Sequence, residues 1–195
     1  MPTNHRLPLR KLNVSKTACA VSVLLAATAI AARAQIVTTI TNLVGTAYPA
    51  GSLIQGADGN FYGIASYGNN PFCFGVGCGQ FFKISPQGML TILYNFCSQT
   101  GCADGGSPTA LVQAADGTFY GTTENGGNTN CYGGCGTVFK ITSSGILTTL
   151  YSFCSQQNCN DGTNPTGLLL ATDGQFYGTT AFGGLSECGK SSGSP

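Results

Sequence analysis

The chain has 195 residues, of which 29 are glycine and 10 are cysteine, and only 8% are charged. Globular proteins average about 25% charged residues, and chains that are disordered because of their charge have many charges and few apolar side chains. This composition therefore excludes a charge-driven disordered chain. It also argues against nucleic-acid binding, because neutralising phosphates requires clustered lysine and arginine.

Residues 1–34 have the layout of a secretory signal peptide. An uncharged run over 17–32 precedes the small-x-small pattern Ala32-Arg33-Ala34, and four basic residues come first: Arg6, Arg10, Lys11 and Lys16. We predict cleavage between Ala34 and Gln35. The alternative is a membrane anchor, but the run is shorter than the roughly 18–20 residues that a span needs. We therefore expect a secreted or cell-surface protein with no stable membrane span after cleavage.

Cleavage would change the charge and the available chemistry. It removes His5, the only histidine, and leaves three lysines against seven acidic residues, a net charge of −4. Without histidine, the mature chain has no Ser-His-Asp or Cys-His pair and no histidine-based metal site. We therefore predict a protein that is not an enzyme and needs no cofactor.

A tandem repeat dominates the rest of the chain. The segment Asp58-Gly59-Asn60-Phe61-Tyr62-Gly63 returns with close similarity at 116–121 and again at 173–178. Aligning 58–105 with 116–162, with one gap at Val76, gives 27 identities in 47 pairs. Such self-similarity at a fixed period is the signature of a repeat architecture.

Each repeat contains four short β-like runs separated by turn signals, which we name strands A to D. In the second repeat they cover 109–114, 118–123, 137–142 and 146–153. Four antiparallel strands in about 57 residues match a β-propeller blade, so we predict an all-β, β-propeller-like fold. A β-solenoid is the alternative, but its coils are usually shorter.

The repeat register predicts the domain boundaries. After the signal peptide come an N-terminal strand of an incomplete blade (35–48), repeat 1 (49–107), repeat 2 (108–164) and a truncated repeat 3 (165–195). Propellers close with about four to eight blades. We therefore expect the chain to be a fragment or a truncated product.

Eight cysteines form four close pairs: Cys73/Cys78, Cys97/Cys102, Cys131/Cys135 and Cys154/Cys159. In an exported chain we expect these pairs to be disulfides and Cys188 to be unpaired. Thiolate metal binding and pairing between the two loops of one blade are the alternatives.

Strand direction places the long loops together. If strand B runs upward, the B–C loop with Cys131 and the loop after strand D with Cys154 share an upper rim. Long loops on a rigid scaffold usually carry binding. We therefore predict that this rim contacts an unknown extracellular ligand, a glycan or a protein, with Tyr132 and Phe74 as candidate contacts.

The acidic residues indicate a functional site less clearly than the rim loops do. Asp-Gly pairs recur in the turns between strands A and B, where aspartate accepts backbone hydrogen bonds: Asp58-Gly59, Asp116-Gly117 and Asp173-Gly174. We favour this interpretation over calcium binding, because no stretch resembles an Asp-rich calcium loop. Glu124 and Glu187 could form a carboxylate pair for glycoside hydrolysis, but Ser66 replaces the glutamate in the first repeat.

The pattern DGxFYGTT…GG…GTVFKIT…G.LTTLYSF…DG..P, carried by 116–165 and more loosely by 58–108, resembles the Gloeo/Verruco (GloVer) tandem repeat of bacterial choice-of-anchor proteins. The resemblance implies an extracellular or surface-anchored repeat protein and no particular activity. We therefore expect a structural or binding role. The alternative is a fragment of a propeller enzyme, a carbohydrate lyase or hydrolase, whose catalytic residues lie outside this chain.

Overall fold

The computed structural model describes residues 48–68 and 78–184. The predicted signal peptide, its cleavage site at Ala34–Gln35 and nearly all of the predicted N-terminal strand lie outside these ranges. So do Cys73, Phe74, Glu187 and Cys188.

The described residues form three antiparallel β-sheets and contain no α-helix. Sheet 1 has the order β1-β2-β3-β4, with strands β1 (Pro49–Gln55), β2 (Phe61–Ala65), β3 (Gln80–Ile84) and β4 (Leu90–Asn95). Sheet 2 has the order β5-β6-β7-β8, with strands β5 (Gly106–Gln113), β6 (Phe119–Asn125), β7 (Thr137–Ile141) and β8 (Leu147–Ser152). Sheet 3 pairs β9 (Thr163–Leu170) with β10 (Phe176–Phe182).

This architecture confirms the predicted all-β, propeller-like fold, in which strands A to D pair in chain order. The main difference lies at strand A of sheet 2, which begins at Gly106, three residues before the predicted start. The register shifts between Pro108 and Ala110 where β5 pairs with β6. Such an irregularity lets pairing continue past a proline, which has no backbone N–H to donate.

The central strands of each complete sheet are the most buried. Four of the five residues of β2 are buried, whereas β4 has no buried residue. The reason is packing, because strands B and C are covered by neighbouring strands and by the next sheet, while strand D lies outermost. Strand B accordingly begins with two aromatic residues in both sheets, and the glycine that follows fits beneath a ring of strand C.

One hydrophobic core joins sheets 1 and 2. Rings from the two sheets meet directly, with the centroids of Tyr62 and Phe119 4.6 Å apart and those of Phe96 and Phe139 5.1 Å apart. Burying one such side chain contributes about 1.5–3 kcal/mol. The buried members of this core are Tyr62, Ile64, Cys78, Phe81, Phe96, Phe119, Phe139 and Ile141. The tandem repeat thus stacks its units through aromatic residues that recur in each copy.

Candidate functional site: the upper rim

We define the upper rim as three loop segments: 96–105 after β4, 126–136 between β6 and β7, and 153–162 after β8. The first and third segments have the same conformation in two repeats. In each, the two cysteines have positive φ angles, 58° and 53° for Cys97 and Cys102, and 57° and 51° for Cys154 and Cys159. The two cysteines of each segment form a disulfide, with Cα atoms 4.1 Å apart in both. The rim is therefore built from a repeated, cross-linked turn.

An aspartate closes each of these turns by accepting several hydrogen bonds. Asp104 accepts them from the Tyr94 hydroxyl at 2.7 Å, the Ser98 backbone N–H at 2.9 Å and the Gln99 backbone N–H at 3.1 Å. Short polar side chains commonly satisfy loop N–H groups in this way. Asp161 accepts the equivalent bonds, from Tyr151, Ser155 and Gln156.

The contacts in the third segment keep the Asp161 carboxylate ionised. Partial burial raises the pKa of Asp161, but hydrogen bonds from Tyr151, Ser155 and Gln156 outweigh it and lower this pKa to about 2. Burial, helped by the neighbouring Asp104, raises the pKa of Tyr94 to about 12. Groups that hold one charge state across neutral pH are poor general acids or bases. Asp161 therefore acts as a structural acceptor, and Asp104 accepts the same set of hydrogen bonds.

The middle segment of the rim depends on glycine. Gly126 and Gly134 form an isolated bridge, and a Cβ atom on Gly134 would collide with the backbone of Gly126. Gly134 also has a φ of 91°, a conformation that favours glycine. Cys131 and Cys135 form a disulfide across this turn, with Cα atoms 5.1 Å apart. The glycine-rich sequence thus folds into a compact loop.

The three segments contact one another. The backbone N–H of Gly127 donates to the carbonyl of Cys102 at 2.9 Å, and the Asn128 side chain donates to the carbonyl of Cys154 at 2.8 Å. The sulfur atoms of Cys131, Cys154 and Cys159 lie within 4.8 Å of one another. The loops that strand direction places on one rim therefore lie side by side.

Of the predicted disulfide pairs, three are within bonding distance in the structure: Cys97/Cys102, Cys131/Cys135 and Cys154/Cys159. The pairing of Cys73 with Cys78 stays a prediction, because Cys73 lies outside the described residues. The cysteine cluster is the only potential metal-binding group found among residues 48–68 and 78–184. Its sulfurs are engaged in disulfides, whereas a metal ligand must be a thiolate.

The exposed chemistry of the rim is polar, and most of its side chains carry no charge. Its only charged residues are Asp104 and Asp161, whose carboxylates are held by hydrogen bonds, and Tyr132 projects with 94% of its surface exposed. Amide and hydroxyl groups supply most other exposed side chains: Gln99, Thr100, Thr129, Asn130, Gln156, Gln157, Asn158 and Asn160. Tyrosine with amides and hydroxyls suits neutral polar ligands.

The Asp-Gly pairs lie at the opposite rim, in the turns between strands A and B. Asp58 accepts hydrogen bonds from the backbone N–H of Asn60 at 3.1 Å and the hydroxyl of Tyr62 at 2.8 Å. The side-chain amide of Asn60 donates a further bond at 2.7 Å, and this bond, followed by that of Tyr62, lowers the pKa of Asp58. The following glycines have φ angles of 79°, 83° and 79°: Gly59, Gly117 and Gly174. In the other two turns, Asp116 accepts a hydrogen bond from the backbone N–H of Thr118, and Asp173 accepts one from that of Gln175.

Glu124 is exposed at the end of β6, and its backbone carbonyl accepts a hydrogen bond from Asn164 at 3.2 Å. Glu187 lies outside the described residues. Sequence reasoning did not find the hydrogen-bond partners of Asp104 and Asp161. The recurring pattern Cys-Ser-Gln-x-x-Cys-x-Asp-Gly at 97–105 and 154–162 carries that signal.

Four-stranded antiparallel sheets that recur along the chain and stack through shared cores define a β-propeller-like repeat protein. Comparison of the sequence with models of known families identifies the repeat. The model of the Gloeobacter/Verrucomicrobia repeat matches residues 53–191, so the chain belongs to this repeat family.

Among solved structures, the chain is similar to one described as a "putative gluconolactonase", with 13% identity and a TM-score of 0.39. The similarity covers 66% of this chain and 40% of that protein, so the chain spans less than half of its length. A search of curated proteins found no match. Among the described residues, no helix is long and apolar enough to cross a membrane.

Proposed function

We propose that this chain is an exported repeat protein, secreted or displayed at the cell surface, whose upper rim binds a neutral polar ligand. The signal-peptide layout of residues 1–34 and the disulfides of the rim support export, because disulfides persist in oxidising compartments. A glycan is the first candidate ligand, since it offers hydroxyl groups and apolar ring faces without charge. The proposed role is binding rather than catalysis.

One observation carries this proposal: the rim loops are cross-linked to themselves and hydrogen-bonded to each other. Within the segments, disulfides close the turns, and between them Gly127 bonds to Cys102 and Asn128 bonds to Cys154. A surface held in one conformation loses less conformational entropy when it binds. Rigid loops with exposed amides and a tyrosine are thus suited to recognition.

A glycan array probed with the purified exported chain tests the ligand class. We expect Tyr132→Ala to reduce the array signal about tenfold, as truncation of a central aromatic contact does. The matched control is Met89→Ala, because Met89 is 68% exposed but lies in the turn between β3 and β4, at the opposite rim. Equal signals from the two variants, or no binding to any neutral glycan, would contradict the proposed site.

Export is tested separately. Expression with the native leader in a bacterial host should release a chain whose first residue is Gln35, as read by mass spectrometry of the intact protein. Retention of residues 1–34 on the exported protein, or no export at all, would refute the signal-peptide interpretation.

A further inference from the structure

The upper rim brings the sulfur atoms of two disulfides together. The sulfurs of Cys131, Cys154 and Cys159 lie within 4.8 Å of one another, although Cys131 is bonded to Cys135 and Cys154 is bonded to Cys159. A disulfide bond is about 2.05 Å long. A small movement of a side chain is therefore enough to bring a sulfur of one disulfide within bonding distance of the other.

Hydrogen bonds hold the two disulfides in this arrangement. The side-chain amide of Asn128 donates to the backbone carbonyl of Cys154 at 2.8 Å, and that of Asn130 donates to the same carbonyl at 3.4 Å. The backbone N–H of Cys135 in turn donates to the carbonyl of Asn128 at 3.1 Å. The segment that contains Cys135 is thus fixed against the segment that contains Cys154, and the sulfurs stay close.

The four cysteines differ in their access to solvent. Cys131 and Cys159 are partly exposed, whereas Cys154 is only 3% exposed and Cys135 is fully buried. Cys154 and Cys159 also have φ angles of 57° and 51°, a left-handed conformation that costs free energy outside glycine. Strained or exposed disulfides are the ones that exchange readily with thiols. A thiol in solution therefore reaches Cys159 before Cys154.

We propose that this cluster is a thiol–disulfide exchange site whose substrate is a low-molecular-weight thiol. The thiolate of the small molecule attacks the sulfur of Cys159 and forms a mixed disulfide, while the bond from Cys159 to Cys154 breaks. The Cys154 thiolate then attacks the sulfur of Cys131, and the bond from Cys131 to Cys135 breaks. Cys135 takes up the proton that the small thiol gave to water. Two disulfides are consumed and two are formed, so the exchange needs no oxidant.

This exchange replaces two cross-links within loops by one cross-link between loops. The new bond from Cys131 to Cys154 joins segment 126–136 to segment 153–162, and Tyr132, which follows Cys131, is carried with it. A small thiol therefore alters the surface to which we assign ligand binding. The exchange chemistry itself does not depend on that assignment.

The experiment treats the purified exported chain with an equimolar amount of glutathione at about pH 8, where part of the thiol is ionised. The chain carries Cys188→Ser, which removes the cysteine that the sequence predicts to be unpaired. N-ethylmaleimide then blocks free thiols. Trypsin and chymotrypsin cut after Tyr132, Lys140 and Phe153, and these cuts separate the cysteines of the two disulfides for mass spectrometry.

Three products are expected together. Glutathione should be found on Cys159, two peptides should be linked through Cys131 and Cys154, and maleimide should be found on Cys135. Exchange that stops at the first step gives a different pattern, because maleimide then labels Cys154. The position of the free thiol therefore reports whether the second disulfide takes part.

Two variants test whether the fold positions the sulfurs. Asn128→Ala removes the hydrogen bond to the Cys154 carbonyl, so the linked Cys131–Cys154 product should fall about fivefold, the factor that corresponds to one hydrogen bond. The matched control is Thr129→Ala, since Thr129 is the exposed neighbour of Asn128. This control should leave the yield unchanged.

Four outcomes would overturn the proposal. Neither disulfide could react with glutathione, or the free thiol could be Cys154 with the other disulfide intact. Links to Cys97 could form as often as links to Cys131, which would show scrambling in an unfolded chain. The two variants could give equal yields. No glycan is present, so none of these outcomes bears on the proposed ligand.

Discussion

At the scale of single residues, the two rim aspartates show how one side chain can organise a loop. Asp104 is fully buried and Asp161 is partly exposed, yet both accept bonds from the same kinds of donor. A buried donor that loses its acceptor costs about 1–3 kcal/mol, whereas an exposed one can turn to water. Burial therefore decides how much each aspartate contributes to stability.

Replacing each of the two aspartates with asparagine should give different losses of stability. Asp104→Asn places an amide N–H₂ group against N–H or O–H donors in a dry site, so we expect a loss of about 1–3 kcal/mol in the free energy of unfolding. Asp161→Asn should lose less of its free energy of unfolding. Urea unfolding followed by tyrosine fluorescence measures both values, and a larger loss for Asp161→Asn would contradict the argument.

The lowered pKa of Asp161 also predicts a pH dependence. Its pKa is about 2 in the folded chain, against about 3.9 for an unperturbed aspartate. The stabilisation is therefore fully present above about pH 4 and disappears as the pH falls through about 2. The difference in unfolding midpoint between the wild type and Asp161→Asn should shrink over this range. A constant difference between pH 5 and pH 2 would refute this prediction.

At the scale of elements, local signals explain the strands and turns well. Asp-Gly dipeptides between β-forming runs predict tight turns, and φ angles near 80° at Gly59 and Gly117 show why glycine stands there. The contacts between rim loops were harder to predict, because backbone atoms such as the N–H of Gly127 donate the bonds. Every residue except proline has such a donor, so the sequence does not mark it.

Two glycine variants test how much the rim loop depends on close approach. Gly134→Ala combines a strained φ with a collision against Gly126, whereas Gly59→Ala has the strained φ but no heavy atom within 4 Å of its Cβ. The strain alone costs about 1–2 kcal/mol. Gly134→Ala should therefore lower the thermal unfolding temperature more than Gly59→Ala does. Equal shifts would show that the loop yields around the added methyl group.

At the scale of the whole molecule, the repeat positions have unequal surroundings. Phe119 is fully buried between sheets 1 and 2, while its counterpart Phe176 remains 41% exposed. The 27 identities between repeats predict the stacking of similar units. They do not predict this difference, because burial depends on what each copy packs against. The proposed binding role of the rim likewise rests on exposure rather than on a residue motif.

Alanine variants of these two phenylalanines should therefore differ in stability. Phe119→Ala removes a ring from a packed core and should cost about 3–5 kcal/mol, whereas Phe176→Ala should cost clearly less. Chemical denaturation under oxidising conditions, which keep the disulfides closed, measures both. Equal losses would mean that the two interfaces are packed alike.

The contacts between successive rim loops bear on how such a chain can evolve. The N–H of Gly127 bonds to the carbonyl of Cys102, and the N–H of Gly184 bonds to the carbonyl of Cys159 in the same manner. The second repeat thus offers an acceptor to the third repeat and a donor to the first. A gene duplication that inserts a unit supplies both halves of the junction at once. The array can therefore lengthen or shorten by whole units, while the side chains of each copy diverge.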